Sequence, residues 1–204
     1  VWEKRFLMYI LFLVVFMQLS VAFVEYQFNF YLEKHIPSLD LRTEYCGNIV
    51  SVINILTTSF QLLGGFLLIE MLGLKYAHRM IPLCLCAQGI LFQIFPSFSM
   101  VSLSFISTKS MDHSFFGIVR EMLYIPLTKE EKFRAKAVID VFAYRTAKAV
   151  ASFFLIFIQG FSSAFTIKWI SFISLMIFIF WAFLTVKMFQ EDSIWNVEKK
   201  LSSS

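Results

Sequence analysis

Residues 109–148 read KSMDHSFFGIVREMLYIPLTKEEKFRAKAVIDVFAYRTAK. Two strongly apolar segments meet in this stretch. One carries Lys109, Asp112, His113, Arg120 and Glu121, and the other carries Asp140, Arg145 and Lys148. Between them lies LTKEEKFRAK, which reads as a basic, water-facing loop. An ionisable group placed in hydrocarbon costs at least about 2.5–3.5 kcal/mol. Such groups persist where they face a bundle interior or a water-filled cavity, and there they mark a path for a substrate or an ion. The charge placement alone therefore points to a transport protein.

Composition agrees. Of 204 residues, 58% are hydrophobic and 26 are Phe. Mean hydropathy is +0.72. Charged residues make up 16%, against about 25% in a globular protein. The fold class expected is all-α, a polytopic membrane protein. A β-barrel would alternate over about 10 residues per strand, whereas the apolar runs here approach the roughly 20 residues of a membrane helix. The formal charge of +4 resides in the connections between spans, so no nucleic acid is expected as a partner. Cys46, Cys84 and Cys86 have no metal-ligand spacing with a histidine pair and read as ordinary thiols. No metal and no cofactor is expected. The first apolar run ends in Glu25-Tyr26-Gln27 without a small-residue cleavage site, so it reads as a span rather than a signal peptide. A first residue of Val rather than Met is what a fragment or processed chain would show.

Six spans are expected, at about 6–31, 49–72, 80–96, 100–124, 138–160 and 166–188. Together they form one transmembrane domain over 1–190, followed by a cytoplasmic tail over 191–204. With the N-terminus inside, the cytoplasmic face holds Lys4, Arg5, Lys75, Arg79, Lys129, Lys132, Arg134, Lys136, Lys187, Lys199 and Lys200, with Arg120 at a helix end. The opposite face holds Lys34, Arg42 and Lys168. That asymmetry places both termini in the cytoplasm of a cell bounded by this inner membrane.

Helical spacing then sorts the spans. Gln18, Ala22, Glu25 and Asn29 form a polar stripe on the first, and Asn54, Thr58, Gln61 and Gly65 form one on the second. Lys109, His113, Phe116 and Arg120, flanked by Asp112, do so on the fourth. Asp140, Tyr144 and Lys148, bordered by Arg145, do so on the fifth. The third and sixth spans are nearly bare of polar groups and read as lipid-facing. Simpler readings exist for several of these residues. An Asn or Gln in a span often bonds another helix for about 0.6 kcal/mol, and Lys109 and Asp112, three apart, can neutralise each other. Lys148 is hardest to explain this way, because it lies near the middle of its span with no acid four residues before or after it.

Polar faces on helices one, two, four and five, with three and six outside, are the pattern of one half of a major facilitator superfamily transporter. A degenerate loop motif, Gly65 through Glu70 and Gly73 to Lys75, points weakly the same way. The segment Arg120-Glu121-Met122-Leu123-Tyr124-Ile125-Pro126-Leu127 is followed by Lys136-Ala137-Val138-Ile139-Asp140 and Tyr144-Arg145-Thr146-Ala147-Lys148. This series resembles the ATP/ADP translocase family of nucleotide transporters. The resemblance is strong over about 30 residues. It implies a twelve-helix facilitator fold with this chain as the C-terminal half, and an ATP/ADP antiporter or nucleotide uptake activity that includes ATP binding. It places Glu121, Lys136, Asp140, Arg145 and Lys148 on the family's charged positions. Gly117-Ile118-Val119, Ala147, Val150 and Ala151 depart from the family's pattern, and the lost glycines imply altered helix packing.

The candidate cavity-lining set is Lys109, Asp112, His113, Arg120, Glu121, Asp140, Arg145, Lys148, Gln18, Glu25, Asn54 and Gln61. No catalytic residue is expected. Asp112 and His113 without a nucleophile or second histidine make poor enzyme machinery. Arg offers phosphate a two-pronged hydrogen bond, and Lys offers it a compact charge. The expected partners are an anionic small molecule such as a nucleotide, the lipid bilayer, and an N-terminal six-helix half of the same protein or a second copy. The alternative reading is a degenerate half-transporter acting as a membrane interaction or scaffold protein.

Overall fold

The computed structural model describes residues 2–64, 73–124, 129–159 and 163–188, and every regular element within them is helical. Helix α1 runs Trp2–His35. Helix α2, Leu39–Ser59, passes directly into a π-helical turn over Phe60–Gly64. Helix α3 spans Gly73–Ile94, α4 Phe98–His113 and α5 Phe115–Leu123. Helix α6, Lys129–Lys136, continues through a π-helical segment, Ala137–Ala143, into α7, Tyr144–Gln159. Helix α8 is Ser163–Met188. The loop motif between Gly65 and Gly73, the residues 125–128 and the tail 191–204 lie outside the described residues.

Three stretches among the described residues are long and apolar enough to cross a membrane: Leu7–His35, Lys132–Ile158 and Ile167–Met188. The others fall short for visible reasons. Helix α2 opens with Asp40, Arg42 and Glu44, and the end of its apolar run lies in the undescribed 65–72. Helix α3 opens on Lys75, His78 and Arg79. The expected fourth span is broken in two at Ser114.

Helix α1 is the hub. At 34 residues it is about 51 Å long, well beyond the roughly 30 Å of hydrocarbon. It packs on α8, α4 and α7, while α3 bridges α8 and α4, and α2 rests chiefly on α4. Its buried residues Ile10, Val14, Met17, Val21, Val24 and Phe28 follow the three-four spacing of a packed helix face, and Leu13, Gln18, Ser20, Phe23 and Gln27 are buried around it. A helix closed in on most sides is what a central position requires. Helix α8 buries Ile170, Ser174, Phe178, Trp181 and Thr185 and exposes Trp169, Phe172, Met176, Ile179, Phe180 and Phe183. The sixth helix thus has an apolar outer face, as expected, but its inner face is a main wall of the bundle. The peripheral helices are α2 and α7.

Helix ends differ from expectation because hydropathy sees only the part that hydrocarbon demands. Helix α2 starts at Leu39, ten residues before the expected span, through polar residues that need no lipid. Lys129–Lys136 is helical rather than a loop. Its Lys, Glu, Arg and Ala are all good helix formers, and the helix runs straight into the next span. Helix α4 begins where Ser97, in an extended conformation, accepts a hydrogen bond on its side chain from the Met100 amide at 3.3 Å, a standard N-cap.

Helix α7 reaches the hub through small residues. Ala143, at the end of the π-helical segment, and Ala147 and Ala151 of α7 recur every fourth position and are buried, with Ile139 and Leu155 buried on the same face, which lets the backbone approach α1 closely. Ala147→Leu should therefore cost about 1–3 kcal/mol by overpacking. Val150→Leu, on the exposed side, should be neutral. Thermal unfolding of the purified protein in detergent distinguishes the two variants.

Candidate polar cavity

Helices α1 and α4 run antiparallel and are joined across their polar stripes at two levels. Lys109 Nζ donates to Glu25 Oε2 at 2.8 Å. Nearer the other end of the same stripe, Gln18 Nε2 donates to Asp112 Oδ1 at 3.2 Å. Gln18 is fully buried. Lys109 and Asp112 therefore do not neutralise each other, although they lie three residues apart. Each is matched by a different turn of α1. The Lys109 ammonium also lies 5.8 Å from the centre of the Phe105 ring, within reach of the attractive ring face.

Just beyond Asp112 the helix breaks. Ser114 has φ −120° and ψ −85°, its hydroxyl donates to the Ser110 carbonyl, and its amide turns back to Met111 at 3.3 Å. Serine makes such local bonds at the expense of the helix ladder. The His113 carbonyl, left at the break, accepts from Gln61 Nε2 at 2.9 Å. Gln61 sits in the π-helical turn of α2, and next to it Phe60 stacks on Phe115 with ring centres 4.8 Å apart. Two backbone irregularities on different helices are thus held against each other. A third, Ala137–Ala143, carries Asp140 on its backbone. The Asp140 side chain lies outside the described set. Departures from α-helix at membrane depth survive where they are buried in protein or line a water-filled cavity, and π-bulges occur frequently at functional sites.

Such a cavity is present. It measures about 270 Å³ and is lined by Met17, Asp112, His113, Gly117, Arg120 and Tyr144. Four helices contribute, and residues on both sides of the break between α4 and α5 line it. Arg120 is half-buried and His113 exposed. Lys148 does not line the cavity. It stands exposed on α7, one turn along, with its ammonium 4.8 Å over the Tyr144 ring. Arg145 is also exposed on α7, and Asn54 and Gln61 are exposed on α2. Glu121 pairs instead with Lys136 at 2.7 Å, tying the end of α5 to the end of α6. Lys136 lies 5.8 Å from the centre of the Tyr124 ring.

The expected set thus divides by location. Asp112, His113 and Arg120 surround one cavity. Gln18, Glu25 and Lys109 form the polar seam beside it. Arg145, Lys148 and Asn54 lie exposed on the two peripheral helices, and Gln61, though exposed, turns to the break through the His113 carbonyl. Tyr144, on the polar stripe of the fifth span but outside the candidate set, lines the cavity too, and Met17 and Gly117 are cavity residues that the pattern passes over, since a thioether and a glycine carry no charge signal. Gln27 was also missed. It is buried, donates to Ser174 Oγ at 2.9 Å and accepts from Ser171 Oγ at 3.2 Å, which welds α1 to α8.

Residues 98–191 match the family model described as TLC ATP/ADP transporter. The match runs from the start of α4 through α8 and contains Lys109, Asp112, His113, Arg120, Glu121, Asp140, Arg145 and Lys148. It ends short of α1 and α2, which carry Gln18, Glu25, Asn54 and Gln61. The apolar spans indicate an integral membrane protein, and the match, which covers less than half of the chain, supports nucleotide transport as a general class of activity. No solved structure matches the chain.

The seam between α1 and α4 is open to a direct test. Lys109→Met strands the Glu25 carboxylate, and Glu25→Gln strands the ammonium, so each single variant should lose stability. The double variant should recover part of the loss. With Glu25 about half exposed, the coupling should be roughly 1 kcal/mol. A double-mutant cycle of unfolding midpoints measures it, and strict additivity would mean the pair contributes nothing.

Proposed function

We propose that the chain works as the C-terminal six-helix half of a major-facilitator-type secondary transporter. Its cargo is a nucleotide such as ATP or ADP, or a related organic phosphate anion, moved by exchange or ion-coupled uptake. The observation that carries this reading is the polar cavity at the break between α4 and α5, lined, apart from Met17, by residues within the segment that matches the nucleotide-transporter family model. Arg120 is its cation, Asp112 its counter-charge, and Tyr144 a flat wall on which a base or ribose can rest. The cavity residues together would hold an anion without leaving an uncompensated positive charge when empty.

Size supports a missing half. Sites for small ligands usually enclose about 300–1,000 Å³. The 270 Å³ here is one wall of such a site. The peripheral helices supply the rest of the argument. Asn54 and Thr58 on α2 and Arg145 and Lys148 on α7 are exposed. Polar groups facing lipid cost several kcal/mol each, so these faces call for a second six-helix unit, either an N-terminal half of the same protein or another copy. In facilitator folds the substrate lies between the halves near the midplane. Lys148, free to swing from its resting place over Tyr144, is then the cation that reaches cargo across that interface.

Two measurements test this reading. The first is uptake of labelled ATP and ADP by cells expressing the full-length protein. Lys148→Gln should lower apparent affinity or rate by tenfold or more, because a charge-assisted phosphate bond is worth about 1.5–3 kcal/mol. Lys148→Arg should recover part of it, and Lys199→Gln should have no effect. Normal uptake by Lys148→Gln would refute the role of this lysine, and the absence of nucleotide uptake by intact protein would favour a scaffold. The second is topology. With both termini cytoplasmic, a cysteine at position 38 should react with an impermeant reagent outside the cell, and one at position 132 should not. The reverse pattern would invert the orientation.

A further inference from the structure

Where α1 and α3 end and α8 begins, a second cavity of about 920 Å³ opens between the three helices. It shares no residue with the polar cavity. Its walls are aromatic, with Phe30 and Tyr31 from α1, Phe92 from α3, and Trp169 and Phe172 from α8. Two lysines line it as well, Lys34 and Lys168, and both are exposed. Glu33 also lines the cavity, but its carboxylate has its own cation, the Arg42 guanidinium at 3.8 Å. The cavity is therefore positive on balance.

Its depth in the bilayer follows from the spans. Lys34 is the penultimate residue of the apolar stretch Leu7–His35, and Lys168 is the second residue of Ile167–Met188. Both lysines sit where hydrocarbon gives way to headgroups, the level at which Trp and Tyr also concentrate. From Trp169 an apolar strip continues down α8 through Phe172, Met176, Phe180 and Phe183, all exposed. Fourteen residues of helix cover about 21 Å, more than one hydrocarbon leaflet of about 15 Å. A soluble anion would find the two cations here but would gain nothing from the aromatic walls or from the strip below them. A molecule with an anionic head and long apolar tails would use all three.

We propose that this cavity binds an anionic phospholipid, its phosphate engaged by Lys34 and Lys168 and its acyl chains laid along the exposed strip of α8. Basic pockets between membrane helices on the cytoplasmic side take anionic headgroups, and the same pairing of ammonium with phosphate applies at the opposite face, where Lys34 and Lys168 are expected. The site is independent of the nucleotide reading, because it needs only that these helices span a bilayer.

The test uses the full chain in nanodiscs containing brominated phosphatidylglycerol or brominated phosphatidylcholine at matched density. Bromine quenches nearby indole fluorescence, and subtraction of the Trp169→Phe signal isolates Trp169. Quenching should show roughly a tenfold preference for the anionic lipid. Lys34→Gln with Lys168→Gln should abolish the preference, and the double Arg replacement should keep it, which separates lost charge from lost fold. Equal quenching by both lipids, a preference that survives the double Gln replacement, or displacement of the anionic lipid by millimolar inorganic phosphate would each overturn the proposal.

Discussion

Every polar group on α1 that reaches the interior of this bundle needs a partner, because hydrocarbon offers none. That requirement organises the structure. Glu25 takes Lys109, Gln18 takes Asp112, and Gln27 takes Ser171 and Ser174. Three contacts spaced along one helix fix its register against both α4 and α8. The apolar packing around them, from Ile10 to Phe28, supplies close contact but could slide by a turn. Paired polar groups resist this, since a shift would strand the buried Gln18 and Gln27 at about 1–3 kcal/mol each and give up roughly 1 kcal/mol from the half-exposed Glu25 with Lys109. The hub is therefore specified by polarity and filled by hydrophobicity.

The same constraint explains where regular helix gives out. At Ser114 the α4 ladder stops, and the carbonyl left at His113 is satisfied by Gln61 from the π-helical turn of α2. The irregularities gather beside the one cavity that holds Asp112, His113 and Arg120. A straight α4–α5 helix would carry Asp112 and Arg120 on one continuous ladder, whereas the break sets Asp112 and His113 on one side of the cavity and Gly117 and Arg120 on the other. Under the proposed reading these are the groups that would meet the anion.

Much of this was legible from the residues. The polar stripe of Gln18 and Glu25 on the first helix and the stripe of Lys109 and Asp112 on the fourth do face each other. The motif running from Arg120 to Lys148 falls inside the family match. The pairing was not legible, because Lys109 and Asp112 at a spacing of three looked self-sufficient, and only the docking of α1 shows which acid each base meets. The break at Ser114 was hidden too. Serine is tolerated within helices, and nothing local announces that its hydroxyl and amide will both turn back on the preceding turn. Bare composition made the sixth helix look wholly lipid-facing, yet Ser171 and Ser174 carry its inner face. Helix lengths were underestimated at Leu39–Asn48 and Lys129–Lys136, because a helix that leaves the membrane stops being apolar before it stops being a helix.

The central claim is that the exposed polar faces of α2 and α7 border a water-filled, anion-binding space and do not face lipid. Single cysteines at Asn54 and Arg145, in protein whose Cys46, Cys84 and Cys86 are replaced, report on this directly. In intact membranes both should react with a small water-soluble methanethiosulfonate, and saturating ATP should slow that reaction at least severalfold. Reaction only with a membrane-soluble maleimide, indifferent to ATP, would place these faces in lipid and contradict the account.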